Sequence, residues 1–172
     1  AGALGPVMPY FELEPPQWAI KGKFFEKPVR PTGERIGAAE SRTSNVMFKR
    51  EILQGTETPF RIEFGTGSED TDFFQRMMEK GHIFVSCKEA VVYEFVPPER
   101  CTRGYLLRRA LLCGANSLKY QSGRVRRLLK AIVAVPAYAL ALPFISIAGD
   151  HHLMKYLIKL CDLMGRILAL CR

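Results

Sequence analysis

Glu69, Asp70 and Asp72 crowd into the run Ser68-Glu69-Asp70-Thr71-Asp72-Phe73-Phe74, in a chain whose net charge is +8. Carboxylates at the start of a helix face unpaired backbone amides and the positive end of the helix dipole, which keeps them ionised near neutral pH. An ionised carboxylate accepts a proton, so the cluster suits a general base. Simple capping and dipole compensation is the competing use of the same residues. Helical spacing places Phe73, Phe74, Met77 and Met78 on one side and Gln75, Arg76, Glu79 and Lys80 on the other, and Gly81 supplies the stop. The acids therefore stand at one end of a packed helix.

The surrounding segments must position that helix. Residues near Thr43 to Phe48 read as a strand, Lys49 to Leu53 as a short helix, and Ile83 to Cys87 and Ala90 to Phe95 as two further strands. Tyr105 to Leu112 carries a helical pattern. The N-terminal stretch, with Gly5-Pro6, Pro9, Pro15-Pro16 and Pro28 to Gly33, reads as loops and edge strands. This alternation is that of an α/β domain.

Four pieces occur in an ordered series: Arg42-Thr43-Ser44-Asn45, Glu69-Asp70-Thr71-Asp72-Phe73-Phe74, Ala90-Val91-Val92-Tyr93-Glu94 and Val96-Pro97-Pro98-Glu99-Arg100. Over roughly residues 4 to 115 this series resembles the C-terminal half of the catalytic domain of family 2 glycosyltransferases. Two glycines of the family pattern are serines in this chain, Ser44 and Ser68. A serine adds a side chain where backbone approaches a ligand. The family's nucleotide-binding half, with its Asp-x-Asp metal motif, is expected upstream of Ala1, so the chain reads as the C-terminal portion of a longer enzyme.

The resemblance implies a GT-A-like, Rossmann-like fold and inverting transfer of a sugar from a nucleotide-diphosphate donor to an acceptor hydroxyl. It implies Asp70 as the base, with Glu69 orienting Asp70 or contacting acceptor, and Asp72 as a substrate-side or helix-stabilising acid. Arg42, Thr43 and Asn45 match the strand that lines the donor-sugar and acceptor pocket. Glu94 stands where many relatives carry a histidine and is a candidate ligand for a divalent metal, Mg²⁺ or Mn²⁺, held mostly by residues absent from this chain. Arg100 and Arg103 have guanidinium forks that match a diphosphate or a lipid headgroup. Trp18 either stacks on a sugar ring or closes the edge of the core.

Composition and charge set the remaining expectations. The chain has 172 residues, 48% of them hydrophobic, enough for one packed core with a tail. Two domains are expected, a catalytic portion over 1–118 and a basic, hydrophobic helical tail over 119–172. Five cysteines, Cys87, Cys101, Cys113, Cys161 and Cys171, lack metal or redox spacing and read as small apolar fillers in a reducing compartment. No signal peptide is visible.

From Arg100 to Gly149 there is no acidic residue, while Arg108, Arg109, Lys119, Arg124, Arg126, Arg127 and Lys130 accumulate. Such a block seeks phosphates. It lacks interleaved aromatics and nucleic-acid motifs, so an anionic membrane surface is expected rather than nucleic acid.

Ala131 to Gly149 has no charged side chain and matches the ~20 residues that cross a bilayer, yet Pro136 and Pro143 interrupt it. Positive residues on both flanks, Arg124 to Lys130 before it and Lys155, Lys159, Arg166 and Arg172 after it, favour a stretch that dips into the membrane and returns, with spanning and burial in a soluble hairpin as the alternatives. After it, Leu153, Tyr156, Leu157, Leu160, Met164, Ile167, Leu168 and Cys171 recur at helical spacing with Lys155, Lys159, Asp162 and Arg166 between them, an amphipathic helix. His151 and His152, as neighbours, are expected to point apart and to start that helix in solvent.

The resulting expectation is a transferase on the cytoplasmic face of a bacterial inner membrane. It would take a nucleotide-sugar donor and a lipid-linked or membrane-proximal acceptor, in cell-surface polysaccharide or glycolipid synthesis. A noncatalytic membrane-docking or scaffolding module is the alternative.

Overall fold

The computed structural model describes residues 1–56, 58–62, 69–120, 123–147 and 149–170. Gly67, Ser68, Cys171 and Arg172 lie outside the described residues. In chain order the elements are β1 (Gly2–Leu4), β2 (Val7–Tyr10), α1 (Gln17–Gly22), β3 (Val46–Phe48), α2 (Glu69–Glu79), β4 (Phe84–Ser86), β5 (Val92–Phe95), α3 (Arg103–Tyr120), α4 (Arg124–Ile147) and α5 (Asp150–Leu168). Short 3-10 turns occupy Arg50–Leu53 and Pro98–Cys101. The fold is mixed α/β with small sheets. Two compact units form, Ala1–Tyr10 with Glu26–Phe95, and Phe11–Phe25 with Val96–Arg172. The division expected at 118 falls inside α3.

In the first unit β1 is the middle strand of three, antiparallel to β3 and parallel to β4, with Gly2 opposite both Phe48 and Phe84. The N-terminal stretch thus supplies a central strand, not only edges. Glycine permits it, because a Cβ at Gly2 would lie 2.8 Å from the Met47 carbonyl oxygen and 3.0 Å from the Phe84 ring. β2 and β5 pair in parallel as a separate ribbon.

The strand expected from Thr43 begins only at Val46. Residues 43–45 turn instead, since the Asn45 amide is used across the fold: Nδ2 donates to the Pro6 carbonyl at 3.1 Å and to the Ala90 carbonyl at 2.6 Å.

Helix α2 covers this unit's core. Phe73, Phe74 and Met77 are fully buried with Leu4, Ile52 and Phe84, and Met78 packs at the margin. The rings run in series, Phe48 and Phe60 on Phe73, Phe73 on Phe74, and Phe74 edge-on to Phe84 at 5.0 Å. Gly81 ends the helix at φ +87, with Gly81 N–H donating to Met78 O and His82 N–H to Met77 O. These are the paired bonds of a glycine-terminated helix.

The second unit is helical. α1, not expected from the proline-rich N-terminal stretch, is one short helix that starts after Pro16, buries Ala19 and closes on Lys23 in the left-handed region. α3 and α5 run in the same direction, Arg103 meeting Asp150 at one end while Gly114 lies against Asp162 and Gly165 against Leu111 and Ala115 further along. A Cβ would stand 2.0 Å from the Asp162 carbonyl oxygen at Gly114, and 2.1 Å from the Leu111 carbonyl oxygen at Gly165. This close approach rotates α5 from the expected face. Met154, Leu160, Leu163 and Gly165 are buried, while Met164 and Leu168 emerge.

α4 returns antiparallel to α5, with the Tyr138 and Tyr156 rings stacked at 4.6 Å and the Tyr156 hydroxyl donating to the Tyr138 carbonyl. It is one continuous helix through Pro136 and Pro143, so residues 131–147 form no re-entrant turn. Both prolines, seven residues apart, are exposed on the helix surface. The helix is long and apolar enough to cross a membrane, with mean hydropathy 2.0, and only 6% of its most apolar window is buried. At the start of α5 the His151 and His152 rings lie 4.0 Å apart instead of diverging.

Gly165→Ala gains about 0.8–1.0 kcal/mol of helix propensity but places its methyl on the α3 backbone. A net loss of about 1–3 kcal/mol in denaturant unfolding is expected, and a net gain would show that the two helices separate freely.

Candidate functional site

The burial of Phe73 and Phe74 sets the rotation of α2 and so separates the three acids. Asp72 turns inward, 8% exposed. Its Oδ2 accepts from Arg76 Nε at 2.8 Å and lies 3.5 Å from Arg61 Nε, and Arg76 Nη2 donates onward to the Pro59 carbonyl at 2.6 Å. This carboxylate is a tether between α2 and the segment before it.

Asp70 behaves differently. Its Oδ1 accepts from the Thr71 N–H at 2.7 Å, and among the described residues it has no cationic partner. It is half-buried at the helix start. Glu69 Oε2 is buried with no hydrogen-bond partner among the described residues.

Arg42 and Asn45 line a common cleft of about 60 Å³ with Lys27, Arg30 and Glu40. Such a volume holds water or a small anion but is far below the roughly 300–1,000 Å³ of ligand pockets. Arg42 Nη1 donates to the Ser41 carbonyl at 2.6 Å and to the Ala39 carbonyl at 3.1 Å. Thr43 is exposed beside them. Sequence reasoning missed the Arg30 centre of this cleft. Arg30 reaches Glu40 through Nε at 2.6 Å and Nη2 at 2.7 Å, and also bonds Glu34. Only Arg30 and Glu34, four apart, hinted at a contact, and their segment is not a helix. The Arg30 guanidinium holds the Glu40 carboxyl below its ordinary pKa, and the Thr32 hydroxyl does the same for Glu89.

Glu94 sits on β5 opposite Pro9. Among the described residues no group of three His, Cys, Asp or Glu stands close enough to hold a metal ion.

The remaining candidates belong to the second unit. The Arg103 guanidinium lies 5.5 Å from the centre of the Trp18 ring, and its Nη2 donates to Asp150 at 2.7 Å. Trp18 also packs on Phe24. This set ties α1, α3 and the first turn of α5 together. Arg100 lies in the turn Pro98–Cys101, its N–H bonded to the Pro97 carbonyl. Cys87, Cys101, Cys113 and Cys161 are free thiols, and burial pushes the Cys101 and Cys161 thiols above their ordinary pKa.

Over 117 residues, 66% of this chain, the sequence is 33% identical to the succinoglycan biosynthesis protein ExoM of Rhizobium meliloti (strain 1021). The chain spans 37% of that protein's length. No family model matches the chain. No solved structure matches it either.

Asp72→Ala leaves the half-buried Arg76 bonded to the Pro59 carbonyl but without its carboxylate and is expected to cost about 3–5 kcal/mol, against under about 1 kcal/mol for Asp70→Ala, read by urea unfolding. Equal losses would contradict the division of the acids. A second outcome concerns pH. Because Glu40 is held below its ordinary value of 4.5 in the folded state, its contribution is complete above that value and disappears as pH falls through the lowered pKa. Glu40→Gln should therefore flatten the acid limb of the unfolding curve and leave neutral stability dependence on pH unaltered.

Proposed function

We propose that this chain is part of a family 2-like, inverting glycosyltransferase with a GT-A-like catalytic domain, acting in bacterial cell-surface polysaccharide or glycolipid assembly. The similarity to a succinoglycan biosynthesis protein supports the polysaccharide setting. That protein's length leaves room for a nucleotide-binding part beyond the aligned stretch.

One observation carries the catalytic reading: of three acids at the start of α2, Asp72 is neutralised by arginines while Asp70 keeps its carboxylate available. In the proposed reaction Asp70 takes the proton of an acceptor hydroxyl as that oxygen bonds to the anomeric carbon of the sugar. The bond from that carbon to the donor's diphosphate oxygen breaks, and the nucleoside diphosphate leaves with the electron pair. The configuration at the carbon inverts. Glu69 lies next to the base and fixes its orientation or meets the acceptor. Arg42, Thr43 and Asn45 contribute to the substrate side from the turn before β3. A divalent ion, Mg²⁺ or Mn²⁺, held mainly by residues outside this chain, would neutralise charge on the diphosphate. The acceptor is lipid-linked or close to a membrane, and the protein sits at the cytoplasmic face of the inner membrane.

A noncatalytic membrane-docking module is the second reading, favoured by the bare apolar surface of α4. Turnover separates the two. In the full-length protein, with a panel of nucleotide sugars and membrane extract as acceptor source, Asp70→Asn should lower transfer by about 10²–10⁴-fold while donor binding persists. Transfer unchanged by the substitution would place the base elsewhere, and absence of donor binding in the unsubstituted protein would favour the docking module.

A further inference from the structure

α4 presents an outward face formed by Ile132, Val133, Leu140, Phe144 and Ile147, with exposures from 48% to 86%. From Ile132 to Ile147 that face carries no charge. Its first two turns are the reverse, with Arg124, Arg126, Arg127 and Lys130. Length and hydropathy alone would send this helix across a bilayer. Its partner cannot follow. α5 packs along α4 and carries Lys155, Lys159, Asp162 and Arg166 on one face, the last three joined by the Asp162 carboxylate at 3.7 Å from Lys159 and 2.6 Å from Arg166. α3, bound to α5 through Gly114 and Gly165, adds Arg108 and Arg109 and the buried polar Asn116 and Ser117.

We propose that α4 does not cross the membrane but lies in the plane of an anionic phospholipid leaflet, its outer face in the acyl boundary. Crossing would carry the charged face of α5 through the hydrocarbon or tear α4 from the Tyr138–Tyr156 stack. Lying flat keeps both contacts. A cleft of about 340 Å³ opens between the two helices, with Tyr138 and Ile145 on one wall and His152, Lys155, Tyr156 and Lys159 on the other. Lysines beside tyrosines at such a rim suit lipid phosphates, as do the arginines that open α4. Charge therefore selects the occupant: a second copy of this chain would bring the same cationic turns against each other.

This proposal rests on the membrane-surface reading above, and its test separates the two. The full chain is mixed with unilamellar vesicles of phosphatidylcholine with or without phosphatidylglycerol. Binding should require the anionic lipid, and Leu140→Asp with Phe144→Asp should weaken it by at least about tenfold. Arg126→Cys and Ser146→Cys, near the two ends of α4, are then exposed to a membrane-impermeant maleimide and read by peptide mass spectrometry. Both ends labelled from outside intact vesicles is the expected result. One end protected until detergent is added would overturn the in-plane geometry while leaving membrane binding intact. Failure to bind vesicles, with a dimer in solution, would remove the membrane reading as well and assign the face to a second copy. Oriented circular dichroism of the unsubstituted chain in aligned bilayers gives the same decision without cysteines, since helix axes across the membrane would contradict the proposal.

Discussion

Burial of Phe73 and Phe74 against the sheet is the constraint on which the rest of the first unit depends. A helix advances about 100° per residue, so once those two rings are enclosed the direction of every other α2 side chain is fixed. Asp72 is carried to the margin of the core, where Arg76 and Arg61 meet it. Asp70 is carried out toward the helix start. A rotation of one residue, about 100°, would carry Asp72 off its arginines and turn an aromatic ring out of the core. The chemistry available at this helix is therefore a consequence of packing.

The second unit has a comparable constraint of a different kind. Gly114 and Gly165 let two helix backbones touch, which leaves α5 no freedom to rotate or slide. That contact ties the apolar α4, through α5, to helices rich in charge. Each charged side chain at the bilayer centre costs about 2.5–3.5 kcal/mol, so the cost of moving α4 is set by residues it does not itself contain. Hydropathy read along a single helix misses this coupling.

Particular elements show where sequence reading succeeded. α2, its buried face and its glycine stop were legible because aromatic residues, acids and Gly81 all agree on one helix. α3 and α5 were legible for the same reason of periodicity. The boundaries of β3, the helix α1 and the central placing of β1 were not. A three-residue strand has no period to detect, and Gly2-Ala3-Leu4 becomes a middle strand only when two partners distant in sequence close on it. The Arg30–Glu40 pair was likewise hidden, since neither residue lies on a regular element that would bring them together.

The sequence by itself determined the amphipathic helices, the acidic cluster and the basic and apolar run that ends in α4, because each of these is local spacing expressed through the backbone period. Tertiary structure alone decided which acid is neutralised, which glycines accept a neighbouring backbone, and that Arg103 is held between Trp18 and Asp150. Those outcomes depend on groups far apart in the chain meeting at distances of a few ångströms. Charge pairing and close packing act only across such distances, so no local pattern of residues encodes them.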